Sequence, residues 1–292
     1  MLPRILLICT VIVWGWTFVA TKILIAELGP VEIFALRLAI GLPFLGVILL
    51  LKRVPLRFAR ADALPLFLGG AIFTLHVLVQ IAGLETTTAT NTGWIIAVSP
   101  LALAVLSFLF LRERIGWNGV AGIAIATTGI VVLVSRGRLA DLRWLQSRGD
   151  WLVLASAHTW ALYTVATRDL ARRRDALAVT FCIMLIAGAF AALLFGFAAD
   201  VGRLRSLSPS GIAALLYLAI PGQALGQWFW QEGVARLGAA RAGLYLYLEP
   251  LATLTLAVPL LGEPFGAMVL IGGGLVLAGV YVGQSGPKRV SQ

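Results

Sequence analysis

Residues 83–129 of this chain recur, without a gap, 150 positions later. Gly83, Ala89, Gly93, Pro100, Leu101, Ala102, Leu106, Leu111, Glu113, Gly116, Gly122 and Gly129 reappear as Gly233, Ala239, Gly243, Pro250, Leu251, Ala252, Leu256, Leu261, Glu263, Gly266, Gly272 and Gly279. These are 12 identities in 47 positions, where so apolar a composition yields about four by chance, and a long fixed period marks duplicated structure. The chain reads as two copies of one unit.

Composition decides the medium those copies occupy. Sixty per cent of residues are hydrophobic, only 12% are charged, and the mean hydropathy is +0.96, far outside the range of a soluble domain. At about 20 apolar residues per span, the charged and Pro/Gly breaks leave ten helices. They run from Arg4 to Ala26, Pro30 to Leu51, Asp62 to Leu84, Thr87 to Leu111, Ile115 to Val134, Asp150 to Arg168, Ala176 to Ala199, Pro209 to Gly233, Gly238 to Leu261 and Phe265 to Gln284. The first is read as a retained helix, because it is long enough to span and lacks a small-residue cleavage site.

Five helices per copy is an odd number, so the second copy enters the membrane from the opposite side to the first. The expected fold is an all-α integral membrane protein, with ten transmembrane helices as two inverted five-helix repeats around a central cavity. Residues 1–134 form the first repeat, 135–149 a linker, 150–284 the second repeat and 285–292 a cytoplasmic tail. Fifteen of the 23 Lys and Arg fall on one set of ends and connections, seven on the other, and Arg37 inside a helix. The positive-inside rule then puts both termini in the cytoplasm, with multi-pass placement in a bacterial-type inner membrane. The net charge of +10 is a topology signal and implies no nucleic-acid partner. In the linker, Leu139, Leu142, Trp144 and Leu145 among Arg138, Arg143 and Arg148 form either a tether or a short amphipathic stretch on the headgroups.

Cys9 and Cys182 lie inside spans with no metal-ligand spacing, so neither a disulfide framework nor a metal site is indicated. No nucleotide, dinucleotide, zinc-protease or nucleophile-elbow motif stands in a suitable context. No cofactor and no enzymatic activity are expected, and no loop is long enough to hold a nucleotide-binding domain.

Polar groups within spans are therefore the places to look, since a central charge in hydrocarbon costs about 2.5–3.5 kcal/mol even on insertion scales. Glu249 stands mid-helix before Pro250, and its repeat mate is Ser99 before Pro100. Each proline removes a backbone donor and loosens the preceding turn, so Pro100 and Pro250 are read as hinges. Gln223, Gln227 and Trp230 share one face at helical period, and the equivalent stripe in the first copy holds Phe73, His76, Val77 and Gln80. Such a face either lines a cavity or glues helices together by hydrogen bonds. Trp14 and Trp160 with Tyr163 sit near the centres of corresponding helices rather than at interfacial rims; Tyr245 is a further aromatic candidate. His158 and His76 are either satisfied structural groups or proton relays. Lys22 and Arg37 snorkel or pair, Arg37 being the better counter-charge to a carboxylate. The glycine-rich fifth and tenth helices suit close packing, as buttresses or a dimer contact.

With these residues in view, the chain resembles the drug/metabolite transporter superfamily, specifically its EamA-type exporters. The resemblance rests on Trp14 and Gly15, on Arg37, on Thr88 to Pro100 running into Leu111, Arg112 and Glu113, and on Ala239 to Pro250 running into Leu261, Gly262 and Glu263. Within that family it is most similar to amino-acid exporters, aromatic ones included. The resemblance implies alternating access around a cavity lined by the first four helices of each copy. The substrate-binding set is then Trp14, His76, Gln80, Trp160, Tyr163, Gln223, Gln227, Trp230, Tyr245 and Glu249. Partners are a small-molecule substrate and the lipid bilayer, with proton coupling open and the protein a monomer or weak homodimer. The alternatives are efflux of drugs or lipophilic cations and, more remotely, an intramembrane enzyme or scaffold.

Overall fold

A computed structural model describes residues 1–113, 116–135, 145–263 and 266–285. Ile115 and Phe265, the expected first residues of the fifth and tenth helices, the part of the expected amphipathic stretch that falls within residues 136–144, and most of the expected tail lie outside these residues. Every regular element among the described residues is helical. The α-helices are α1 (Leu2–Ile25), α2 (Pro30–Leu51), α3 (Ala63–Leu84), α4 (Ala89–Ile96), α5 (Ser99–Leu111), α6 (Trp117–Ser135), α7 (Arg148–Arg173), α8 (Ala176–Ala198), α9 (Pro209–Tyr217), α10 (Gly226–Leu237), α11 (Ala239–Gly243), α12 (Glu249–Leu261) and α13 (Ala267–Gln284).

Seven helical segments among the described residues are long and apolar enough to cross a membrane, and α6 and α13 contribute shorter apolar stretches. The protein is a multi-pass membrane protein. α7 is not among the seven. It packs against α3, α4, α5, α8 and α10, and a helix enclosed by protein needs less apolar surface than one facing lipid.

Three of the membrane segments are broken, each at a proline. Between α4 and α5 the helix lapses just before Pro100, which starts the new helix where its missing N–H is no loss. Between α11 and α12 a 3-10 stretch, Leu244–Leu248, precedes Glu249 and Pro250. Between α9 and α10 the chain widens into a π-helical stretch, Leu218–Leu225, around Pro221. That widening is absent from the sequence reading, which treats the segment as one regular helix.

The relative directions of the helices follow from their close approaches. A Cβ on Gly83 would lie 2.8 Å from Val153, and one on Gly69 would lie 2.8 Å from Thr167, so α3 and α7 are antiparallel. Lys22 Nζ donates to Leu84 O at 2.8 Å, which brings the end of α1 to the start of α7. The two helices that correspond by sequence, α1 and α7, thus run in opposite directions.

α6 and α13 pack on one another through glycine. A Cβ on Gly122 would come within 2.6 Å of Gly279 O, and one on Gly129 within 2.7 Å of Gly272 O. Gly272 and Gly279 are the repeat mates of Gly122 and Gly129. Each contact is therefore the image of the other, and a pseudo-two-fold relates the two helices.

Candidate functional site

Gly15 lets α1 approach the broken helix closely: a Cβ there would sit 2.6 Å from Glu249 O, and Thr253 Oγ1 donates to Gly15 O at 3.0 Å. This contact seats Trp14 beside Glu249 at the middle of the bundle. Across from them, α7 supplies Trp160 and Tyr163, α10 supplies Gln227 and Trp230, α3 supplies Phe73 and His76, and α2 supplies Arg37. They enclose a cavity of about 50 Å³, lined by Trp14, Thr17, Phe18, Arg37, Phe73, His76, Val77, Gln80, Ile96, Trp160, Gly222, Gln227 and Glu249. Sites for small molecules typically offer about 300 Å³ or more, whereas a volume of this size suits water. The cavity is therefore constricted, too narrow for a ligand of that size.

Its wall is largely aromatic. The ring centroid of Trp160 lies 4.8 Å from that of Trp14, 5.5 Å from Trp230, 5.2 Å from Tyr163 and 5.1 Å from His76. Trp14 Nε1 donates to Gly222 O at 2.8 Å, a carbonyl of the π stretch, and glycine at 226 leaves room for the indole. Trp230 Nε1 donates to Thr164 Oγ1 at 3.2 Å. Trp160 Nε1 is buried and has no partner among the described residues.

Beneath the rings runs a polar row. Tyr163 OH donates to Gln227 Oε1 at 3.3 Å and accepts from Gln231 Nε2 at 2.8 Å, which also reaches Thr167 Oγ1 at 3.1 Å. Gln231 is absent from the sequence-based set, although it extends the Gln223, Gln227 spacing by another four residues. His76 Nδ1 lies 2.9 Å from Ser156 O; donation there makes Nε2 the acceptor nitrogen of the neutral ring.

The charged groups are unusual. Arg37 and Glu249 are 8% and 3% exposed, and both line this cavity. Neither forms an ion pair with any described residue, and Arg37 Nε and Glu249 Oε2 lack hydrogen-bond partners. Arg37 is expected from sequence as a counter-charge; the structure holds it in the same cavity as the carboxylate without pairing the two.

Of the sequence-predicted residues, the structure places Trp14, His76, Gln80, Trp160, Gln227 and Glu249 on the cavity lining. Tyr163 and Trp230 stand directly behind, against Trp160. Gln223 and Tyr245 are buried apart from the lining. His158 is exposed on α7 and bonds its own helix at Leu154 O, 2.8 Å away. Pro100 and Pro250 each lie one residue past a helix break. Among the described residues there is no cluster of His, Cys, Asp or Glu able to hold a metal.

Several proteins similar to this chain over nearly its whole length carry transporter, exporter or efflux-pump names. The chain is 29% identical to an uncharacterized transporter of Archaeoglobus fulgidus, over 95% of this chain and 97% of that protein. It is 30% identical to a probable terminal-alkyne amino-acid exporter of Streptantibioticus cattleyicolor, over 94% and 91%. A probable amino-acid metabolite efflux pump of Salmonella typhimurium is 26% identical over 95% and 93%. A solved protein crystal structure shares the fold with a TM-score of 0.77 at 20% identity, covering 97% of this chain and 96% of the other. The model of the EamA-like transporter family matches twice, over residues 1–135 and 147–282, and the chain belongs to that family of membrane transporters.

Proposed function

We propose that the protein is a secondary transporter or facilitator that exports amino acids or closely related zwitterionic metabolites across the inner membrane. It works by alternating access between two inverted five-helix repeats, with both termini in the cytoplasm. The observation that carries this reading is the pair of unpaired opposite charges, Arg37 and Glu249, on one narrow cavity. A buried charge without a partner is costly, and a protein that gained only stability from these two would pair them or replace them with apolar groups. Charges held apart across a cavity suit a ligand that brings both complements, a carboxylate for Arg37 and an ammonium for Glu249. The aromatic wall around Trp160 offers faces for an apolar or flat side chain. The names of the exporters quoted above agree with this class, and the twofold match of the family model agrees with the repeat.

Uptake of radiolabelled amino acids into proteoliposomes of the purified protein, with and without an imposed pH gradient, tests it. Saturable amino-acid uptake is expected. Uptake only with the gradient makes Glu249 the candidate proton carrier; uptake without it makes the protein a facilitator. Transport of lipophilic cations but of no amino acid would overturn the reading in favour of drug efflux, which the carboxylate and the indole faces also suit.

A further inference from the structure

Each half of the chain ends its broken helix in the same way. α5 closes with Arg112 at φ 53°, and α12 closes with Gly262 at φ 65°. These left-handed caps turn the chain so that the next residue, Glu113 or Glu263, points back across the bundle. Glu113 Oε2 accepts from Ala240 N at 3.2 Å. Glu263 Oε1 and Oε2 accept from Ala89 N at 3.2 Å and Thr90 N at 3.0 Å. Ala240 is the repeat mate of Thr90, as Glu263 is of Glu113, so the two bonds are images of one another. Each glutamate holds the opposite half's broken helix at its first turn. The left-handed φ of 85° at Gly238, a region suited to glycine, brings the chain directly against the Glu113 carboxylate.

The two contacts lie at opposite faces. Glu113 Oε1 forms an ion pair with Arg168 Nη2 at 2.6 Å, near the end of α7. Glu263 holds the start of α4, whose first turn meets the start of α7 through Asn91 Nδ2 to Asp150 Oδ1 at 2.7 Å. Eighteen residues of helix separate Asp150 from Arg168, about 27 Å at 1.5 Å per residue and so close to a full hydrocarbon thickness. Lys22, on the face of Glu263, interacts electrostatically with that carboxylate. Trp14 and Trp160 stand eight residues before Lys22 and Arg168 respectively, so each basic residue sits one membrane leaflet away from the aromatic cavity. Both contacts are made at once, and the cavity between them is constricted to about 50 Å³.

We propose that Glu113 and Glu263 are positioning residues that latch the cavity shut, one at each membrane face, and that releasing either opens the cavity to its own face only. The proposal rests on the alternating-access reading and adds to it which groups alternate. Opening toward the Arg168 face exchanges the Glu113 bonds for water while the Glu263 bonds persist, and the reverse step mirrors it.

The test uses the full chain in oriented membrane vesicles, with Cys9 and Cys182 replaced by Ser and a reporter introduced by Thr17→Cys on the cavity wall. A membrane-impermeant thiosulfonate is applied from one side at a time. Glu113→Gln should raise labelling from the Arg168 face about tenfold, the loss expected for one charge-assisted bond, and leave the other face unchanged; Glu263→Gln should do the converse. Glu113→Asp and Glu263→Asp keep the charge and shorten its reach, so they should move in the same directions by less, and they carry the test if a Gln variant fails to insert. Both substitutions exposing the same face, or sidedness unchanged in all four variants, would overturn the latches. Labelling needs no substrate, so failed amino-acid uptake with sidedness intact would count against the substrate class alone.

Discussion

Neutralising Arg37 and Glu249, by Arg37→Gln and Glu249→Gln, separates a recognition role from a structural one. Each group is buried on the cavity and has a polar atom without a partner. Its contact with a ligand would be charge-assisted, worth roughly 1.5–3 kcal/mol, which is roughly a 10- to 150-fold loss in kcat/KM for a zwitterionic amino acid in either variant. The losses should split by ligand. An amine lacking the carboxylate should be affected by Glu249→Gln and carried within about twofold of normal by Arg37→Gln, because only the first substitution removes a partner it uses. An N-acylated amino acid should show the opposite pattern. The ligand-free protein provides the second arm. Because neither charge is paired, removing one relieves a desolvation cost and breaks no bridge, so thermal stability in detergent should hold or rise. A parallel fall in melting temperature for both variants, with equal losses for all three ligands, would refute the reasoning and make both charges structural.

Three further outcomes follow from other parts of the molecule. Trp160→Phe keeps the ring stack and removes the partnerless indole N–H, so transport affinity should fall about 2- to 13-fold with unchanged membrane insertion; no change would remove that N–H from the ligand contact. Gly122→Leu forces a side chain into Gly283 and Gly279 and should lower stability by about 1–3 kcal/mol in thermal unfolding, while Gly274→Ala, with nothing nearby, should be neutral. Glu27, in the turn after α1, accepts from the Ser208 hydroxyl at 2.5 Å and from its backbone N–H at 2.8 Å. These bonds hold its carboxyl below the usual carboxylate range. The stabilisation is then present above the ordinary carboxylate pKa and lost as pH falls through the lowered one. Thermal unfolding of Glu27→Gln from neutral pH to below pH 4 should show a shallower acid loss than the natural chain.

The helical segments and their boundaries are legible because their signals are local: an apolar run, a proline, a glycine, a charged end. The third-to-fourth connection, polar and Thr-rich over residues 85–92, resolves into α3 ending at Leu84 and Thr88 capping α4 through Asn91 N. Trp14, Trp160 and Glu249 are legible as central because each defies the ordinary placement of its residue type in a membrane. Gln223 is different. It lies within the π stretch, whose turns are wider than those of an α-helix, so the 3.6-residue period that puts it in line with Gln227 does not hold across residues 218–225. Gln227 and Gln231 stand beyond that stretch and do share a network with Tyr163. Tyr245 likewise lies in a 3-10 turn, where an α-helical projection misplaces side chains. The separation of Arg37 from Glu249 has no sequence signal, since it depends on how α2 and α12 are held by α1 and the π stretch.

Duplication leaves a consistent division between what stays symmetric and what does not. Glu113 and Glu263, the left-handed caps before them, and the glycines joining α6 to α13 are matched across the halves. Glu249 faces Ser99, His76 faces Gly226 and Gln80 faces Trp230. A carrier that visits two faces needs states of similar free energy, because a gap of even about 2.7 kcal/mol would leave one face populated about one part in a hundred. Latches built from the same residue type at matched positions, each a glutamate accepting backbone N–H bonds from the opposite half with a basic residue nearby, suit that balance. Ligand recognition needs the opposite, since a zwitterion has one positive and one negative end and a symmetric site would offer it two of the same. The matched glutamates therefore fall at the two proposed latches, and Glu249, His76 and Gln80, whose repeat mates differ, fall on the cavity. Restoring symmetry at the site, by Ser99→Glu, would place a second carboxylate on the fully buried repeat mate of Glu249, whose hydroxyl now reaches only Ala157 O at 3.5 Å. Amino-acid uptake should fall at least about tenfold through that uncompensated charge, while the sidedness set by Glu113 and Glu263 persists in the labelling assay. Loss of sidedness together with uptake would show that site and latches are not separable.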